Sequence, residues 1–502
     1  MSLRRLAACL FLSAALAGPA AAASLTIGLG DDADVLDPAQ SRTFVGRIVY
    51  AALCDKLVDI STDLQIVPQL ATDWTWSDDA RSLVMNLRQD AKFHDGEPFD
   101  AKAVVYNIER MKTLPESRRK SELASVASVA ATGPYQVTFT LGTPDVSLLA
   151  QLSDRAGMMV SPKAAAATGA NFGASPVCSG PYRFVERIQQ DRIVLEKFAE
   201  HWDAAAYPLE RVTYLPIPDT TVRLANLRSG DLDMVERVAA SDAAAVKADA
   251  GLKSETVIGL GYQALYVNVA NGARADNPLG KDKRVRQAFS LAIDRDAINQ
   301  VVYEGTQAAG NQPFPPESPW FDKAHPVPAR DIEKAKALMA EAGVTSVDVQ
   351  LQAANVPVTL QAMQVIQSMV AEAGFNVSLQ ATEFTTLLAA QSSGDFQISR
   401  SDWSGRLDPD GNIHQFITCA GGQNDVKYCN PALDALLNDA RTITDPVARK
   451  AKYDAANAIM QDDLPIIYLG NQSYIYAFDA GVTGFTPYPD GLIRLRGMNN
   501  AD

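Results

Sequence analysis

Val347-Asp348-Val349-Gln350-Leu351 alternates apolar with polar residues, Met363, Ile366 and Val370 recur at helical spacing, and Val377-Ser378-Leu379-Gln380-Ala381 alternates again. Periods of two, then 3.6, then two predict strand, helix and strand, a βαβ unit. The expected fold class is therefore α/β. Phe396-Gln397-Ile398-Ser399 follows as a further strand, and it leads into Ser401-Asp402-Trp403-Ser404-Gly405-Arg406-Leu407-Asp408-Pro409-Asp410-Gly411-Asn412. This segment packs an aromatic, a guanidinium, three carboxylates and two glycines into one irregular stretch. Proline and glycine can hold such a path so that side chains are positioned rather than buried. It reads either as a ligand-gripping loop or as a solvated turn, because exposed turns select the same residues.

The chain ends set the compartment. Arg4 and Arg5 precede an apolar run from Leu6 to Leu16, then Gly18-Pro19 and the small residues Ala20 to Ala23. That order predicts an export signal at 1–23, too short to span a bilayer, with the mature chain starting near Ala23 or Ser24. Leu6-Ala7-Ala8-Cys9 imitates a lipoprotein box, but it lies ahead of most of the apolar run instead of after it. The 502 residues are 47% hydrophobic and 21% charged, enough for two or three core-bearing units. The formal net charge of −14, made two more negative by loss of Arg4 and Arg5, argues against nucleic acid as a partner. Four cysteines remain after Cys9. Cys419 and Cys429 flank a short polar loop and are expected to pair, which leaves Cys54 with Cys178. Zinc is the weaker alternative, since there is no Cys-x-x-Cys pair and the four histidines are scattered.

In chain order, Leu25-Thr26-Ile27-Gly28-Leu29 reads as a strand running into an acidic loop. Leu83 to Leu87 and Tyr135 to Leu141 read as sheet, with a helical run following to Leu152. Asp100 is expected to cap a helix that buries Val104, Ile108 and Met111. His94, Asp95 and Glu97 could suggest a metal or acid–base site, but Gly96 and Pro98 explain them as a turn. Arg155 ends an apolar run beside Gly157, where a guanidinium either grips a carboxylate in a cleft or forms a surface ion pair. Pro218-Asp219-Thr220-Thr221 is expected to cap a further helix, and Gly230 fits the left-handed position at its end.

The run Thr221-Val222-Arg223-Leu224-Ala225-Asn226-Leu227-Arg228-Ser229-Gly230-Asp231-Leu232-Asp233 resembles a hallmark of the family 5 extracellular solute-binding proteins, the peptide and nickel receptors of bacterial ABC importers. Leu87-Arg88 with Ala91 to Phe99, Ser179-Gly180-Pro181-Tyr182, and Arg284 to Arg295 are similar to other signature regions of that family. The resemblance implies a two-lobed periplasmic binding protein fold with mixed sheets, an extra subdomain in lobe I and a two-strand hinge. Tyr262 to Asn268 and Ile466 to Tyr476 are the candidate crossings. The expected divisions are lobe I over 24–264 with a subdomain at about 62–165, lobe II over 265–472, and a return to lobe I over 473–502.

The resemblance also implies a function. In peptide-binding relatives an acidic residue of the loop corresponding to 401–412 holds the ligand's ammonium group. Asp408 is the first choice for that role and Asp410 the second. Trp403 walls the pocket or belongs to the core; Arg406 meets a ligand carboxylate or pairs with Asp408. Ser404, Arg155 and Tyr262 complete the candidate ligand-binding set. The expected protein is a monomeric periplasmic receptor that captures a dipeptide or short peptide and delivers it to an inner-membrane ABC permease. No cofactor, metal or catalysis is expected. Within the same class stand nickel chelates, glutathione, opines and oligosaccharides, and a membrane sensor kinase is an alternative partner. A secreted hydrolase is the rival from another class, but neither a Gly-x-Ser-x-Gly elbow nor a His-Glu-x-x-His helix occurs.

Overall fold

The computed structural model describes residues 23–41, 43–382 and 384–500. The export signal and the lipoprotein-like box lie outside the described residues.

Two sheets carry the chain. The seven-stranded sheet of lobe I is ordered Leu252–Ile258, Ser473–Asp479, Met234–Val235, Ser24–Leu29, Arg211–Pro216, Arg192–Lys197, Tyr182–Ile188. Ser24–Leu29 lies parallel to both of its neighbours, and the remaining pairs are antiparallel. Leu25, Ile27 and Leu29 enter the core shared with the helix Phe44–Leu53, while Leu224, Leu227 and Val246 form a second cluster with Ile475 and Ala477. Arg223 is buried between these layers. Its guanidinium donates to the carbonyls of Ile217, Pro218, Glu236 and Arg237, tying the helix Thr220–Ser229 to the chain on either side. Asp219 accepts from the N–H groups of Thr221 and Val222, and Gly230 has φ 82°, the cap geometry expected from sequence.

The six-stranded sheet of lobe II is ordered Ala308–Ala309, Ile466–Asn471, Tyr262–Val267, Ile398–Trp403, Val347–Ala354, Phe375–Thr382. The βαβ unit is present. Val347–Ala354 pairs in parallel with Phe375–Thr382, and Met363, Ile366 and Val370 are buried in the intervening helix Pro357–Ala371. Its opposite face carries Tyr262, Tyr266 and Tyr468 against Phe416 and Leu433.

An antiparallel sheet of Ala71–Trp76, Ser82–Leu87, Gln136–Leu141 and Val126–Gly133 forms the subdomain of lobe I. The helix Ala101–Thr113 covers it, capped by Asp100, with Val104, Ile108 and Met111 in the core.

The chain changes sheets at Gln472 and at residues 259–261. The second of these lies ahead of the boundary at 264 read from sequence, because all of Tyr262–Val267 pairs inside the lobe II sheet. Cys54 is bonded to Cys178, and Cys419 to Cys429. His94 lies against the first bridge: its Nε2 is 3.0 Å from the Gly180 carbonyl and its Nδ1 accepts from the Cys178 N–H at 3.2 Å. Burial holds its imidazole down at about 4. Asp95 accepts from the Ser161 hydroxyl and Glu97 pairs with Lys163, so all three residues of that turn are structurally engaged.

Candidate ligand cleft

The site loop leaves the strand Ile398–Trp403 at the edge of lobe II that faces lobe I. Its backbone is fixed by Asn412, which is buried. Asn412 Oδ1 accepts from Trp403 Nε1 at 2.9 Å and from the Arg406 N–H at 2.7 Å, and its Nδ2 donates to the Arg406 carbonyl at 2.7 Å. Gly405 adopts φ 80°, and a Cβ there would stand 2.3 Å from the carbonyl carbon of Leu260 in the hinge. Conversely, a Cβ on Gly261 would stand 2.2 Å from the Trp403 carbonyl oxygen. The loop and the crossing therefore pack backbone to backbone.

The two acids expected to receive an ammonium group are both held by arginines of lobe II. Asp408 is buried and takes a bidentate grip from Arg449, at 2.5 and 2.8 Å, while its Oδ1 accepts the Asp410 N–H. Asp410 takes the same kind of grip from Arg441, at 2.6 and 2.7 Å. Burial alone would lower the Arg449 guanidinium, but Asp408, together with Tyr453 and Asp410, outweighs it and raises it. Such pairs are strong because they are charge-assisted and planar on both sides. They brace the loop against the helices Pro431–Ala440 and Pro446–Asp463, which Arg441 and Arg449 respectively follow and belong to.

Arg406 does not pair with Asp408. Its guanidinium lies 4.5 Å from the Trp403 ring centre and donates to the Gly405 carbonyl and the Ser404 hydroxyl. Trp403 is half-buried, packed edge-on against Phe416 at 4.9 Å, so it is both wall and support. Tyr262 is wholly buried behind it; its hydroxyl meets that of Tyr266 at 3.1 Å, so it backs the site.

Lobe I presents Arg155, which is 4% exposed. One guanidinium nitrogen donates to the Ser41 carbonyl at 3.0 Å, its Nε is buried without a partner, and the nearest carboxylate contact, to Asp154, is 4.0 Å. Burial lowers its pKa to about 10, helped by the charges of Arg119 and Arg47 and opposed by Asp154. Burial lowers Arg406 as well. Asp154 is held by Arg47 at 3.0 Å; burial would raise its carboxyl, but Arg47, Arg155, Arg406 and Arg119 keep it well below the usual carboxylate range.

Of the residues expected at the site, Arg155, Trp403, Arg406 and Asp410 border a cavity of about 490 Å³ between the lobes, whereas Ser404, Asp408 and Tyr262 do not line it. Arg118, Arg119, Arg155, Arg406 and Arg441 line it against only three carboxylates, Glu122, Asp145 and Asp410. Glu122 is paired with Arg119, and Asp410 with Arg441. Asp145 accepts from Ser147 and stands in no ion pair among the described residues. The lobes meet directly beside it, where the Val146 N–H donates to the Arg441 carbonyl at 3.1 Å. Asp145, Arg119 and Arg441 escaped the sequence reading. Only the basic run Arg118-Arg119-Lys120, conspicuous in an acidic chain, offered a signal.

A cleft between two α/β lobes, joined by paired crossings and lined with charge from both sides, is the architecture of a solute-binding receptor. Residues 65–424 match the family model for bacterial extracellular solute-binding proteins, family 5, and the chain belongs to that family. The glutathione-binding protein GsiB of Pectobacterium atrosepticum is 27% identical, covering 94% of this chain and 93% of its own. A probable di/tripeptide-binding protein of Pseudomonas aeruginosa is 26% identical over 95% of each chain. Among solved structures, the binding protein AgaA from A. tumefacien R10, in complex with agropinic acid, is 27% identical with a TM-score of 0.79, covering 95% of this chain and 98% of its own. The ABC transporter substrate-binding protein CtaP of Listeria monocytogenes superposes with a TM-score of 0.86 at 23% identity, over 96% of this chain and 100% of its own. The family consists of receptors rather than enzymes, and among the described residues no helix is long and apolar enough to cross a membrane.

Proposed function

We propose that the protein is a monomeric periplasmic receptor that captures a short peptide and delivers it to an inner-membrane ABC permease, without bond chemistry of its own. The observation that carries this reading is the cavity shared by both lobes, bordered by Arg155, whose nearest carboxylate is Asp154 at 4.0 Å, and by Arg406, which stands in no ion pair among the described residues. Arg155 and Arg406 take the ligand carboxylate, bidentately where geometry allows. Trp403 walls the pocket, and Ser404 orients Arg406. With Asp408 and Asp410 committed to Arg449 and Arg441, the α-ammonium group falls to Asp145. Because the grip draws on both lobes, ligand favours the arrangement in which they meet. The excess of arginine over carboxylate favours a cargo with more carboxylates than ammonium groups, such as glutathione, which the name of one relative also supports.

Calorimetry of the mature chain against dipeptides, glutathione and free amino acids tests the assignment, with Arg155→Gln, Asp145→Asn and Asp408→Asn in parallel. Arg155→Gln is expected to weaken every carboxylate ligand by about 100-fold. Asp145→Asn should weaken only those with a free ammonium group. Undiminished affinity in both variants would refute the grip.

A further inference from the structure

The carboxylate grip uses only part of the cleft. Beyond the site loop lies a second chamber of about 640 Å³, larger than the arginine-lined one, and each volume alone falls in the range of roughly 300–1,000 Å³ usual for a small-molecule site. Trp74, Trp76 and Leu149 wall it from the lobe I subdomain, and Trp320, Leu407 and Ile443 from lobe II. Its rim charges are already matched inside lobe II. Arg449 is held by Asp408 and lies 5.5 Å from the Trp320 ring centre, and Lys450 pairs with Asp454 at 2.6 Å. What this chamber offers a ligand is therefore apolar and aromatic surface.

Between the two chambers lies a small cavity, the constriction, of about 20 Å³, which shares lining residues with each. Gln151 and Arg406 border the constriction and the arginine chamber; Ala150, Leu407 and Asp408 border the constriction and the apolar one. Consecutive residues thus divide the cleft twice, Ala150 from Gln151 in lobe I and Arg406 from Leu407 in lobe II. A segregation of this kind suits a molecule that is itself divided.

We propose that the cargo is a peptide-like carboxylate bearing a bulky apolar or aromatic arm, anchored by its charged end among the arginines and seated by its arm between Trp76 and Trp320. This deepens the preceding reading and rests on the arginine chamber being the anchor. The Asp408–Arg449 pair then acts indirectly, holding Trp320 in place as one wall of the arm's chamber.

The test uses matched pairs that share a head and differ in the arm: Ala-Ala against Ala-Phe, and glutathione against S-benzylglutathione, titrated calorimetrically into wild type, Trp76→Ala, Trp320→Ala and Arg155→Gln. In wild type the armed member is expected to bind about 10- to 100-fold more tightly, the range that burying an aromatic group gives. Each tryptophan variant should remove most of that gain and leave the affinity for the unarmed member, which also reports that the variant is folded. The two variants lie on different lobes, so a folding defect in one leaves the other to decide. Equal affinity within both pairs in wild type, or a gain that survives both tryptophan variants, would overturn the apolar-arm assignment while leaving the carboxylate grip intact. Arg155→Gln binding every probe as wild type does would instead overturn the grip, and failure of all probes to bind wild type would overturn both.

Discussion

Replacing Arg155 by methionine is expected to stabilise the ligand-free protein while disabling it as a receptor. The guanidinium is nearly enclosed, holds one hydrogen bond to Ser41, and has its Nε buried without a partner. Its pKa falls from the ordinary arginine value to about 10, chiefly through burial, so keeping it charged in the folded state costs about 3 kcal/mol at neutral pH. Methionine removes that cost and follows the same apolar path. It loses a hydrogen bond of about 1 kcal/mol, but the Ser41 carbonyl keeps the Arg119 donor at 3.2 Å. The net gain is about 1–2 kcal/mol. With unfolding entropy near 2 cal/mol/K per residue, a chain of 502 residues should melt about 1–2 °C higher. Scanning calorimetry of the ligand-free variant measures this, and a saturating dipeptide should then raise the melting temperature of wild type but not of the variant. A variant that melts lower than wild type without ligand and still gains stability with it would refute the assignment of Arg155 as a cation held ready for an anion.

Three further outcomes follow from named contacts. Asp408→Asn leaves Arg449 charged and buried without its partner, so it should lower stability by about 3–5 kcal/mol, read as a reduced denaturant midpoint, whatever ligand is present. His94 has its pKa depressed to about 4, so its unfolded form takes up a proton near pH 6.5 while its folded form does not. Stability from this group is complete above about pH 6.5 and is lost as pH falls toward 4, by up to about 3 kcal/mol; in His94→Gln, urea midpoints across that window should lose this slope. Gly405→Ala places a methyl against the Leu260 carbonyl carbon at positive φ, so it should weaken ligand binding at least tenfold, and calorimetric affinity equal to wild type would contradict the tight loop–hinge packing.

The fold was legible where periodicity and packing agree. The alternation at Val347–Leu351, the helical face of Met363, Ile366 and Val370, the Asp100 and Asp219 caps and the Gly230 terminator are local signals, and tertiary structure reinforces each. The site loop was equally visible as a concentration of unusual residues. Its electrostatics were not, because a sequence displays which groups ionise and not which groups they meet. Asp408 and Asp410 read as free carboxylates, yet their arginines lie 41 and 31 positions downstream. Arg155 reads from sequence as either a cleft guanidinium or a surface ion pair, and its burial at 4% exposure, with no carboxylate nearer than 4.0 Å, is a property of the folded neighbourhood. The chain crossing at 259–261 sits between two β-prone runs, so no break in apolar pattern marked it.

The contact between Gly405 and the crossing at Leu260 and Gly261 involves main chain on both sides. Cargo preference can therefore be rewritten at Ser404 or Leu407 with least disturbance to the pivot, because neither side chain forms this contact, whereas Trp403 and Arg406 also hold the loop through Asn412 and the Gly405 carbonyl. The same geometry makes the pivot intolerant at two positions with no side chain of their own. Variation in what the receptor carries is thus in part mechanically separable from variation in how it moves, and a library confined to Ser404 and Leu407 should yield altered specificity in proteins that still transmit capture.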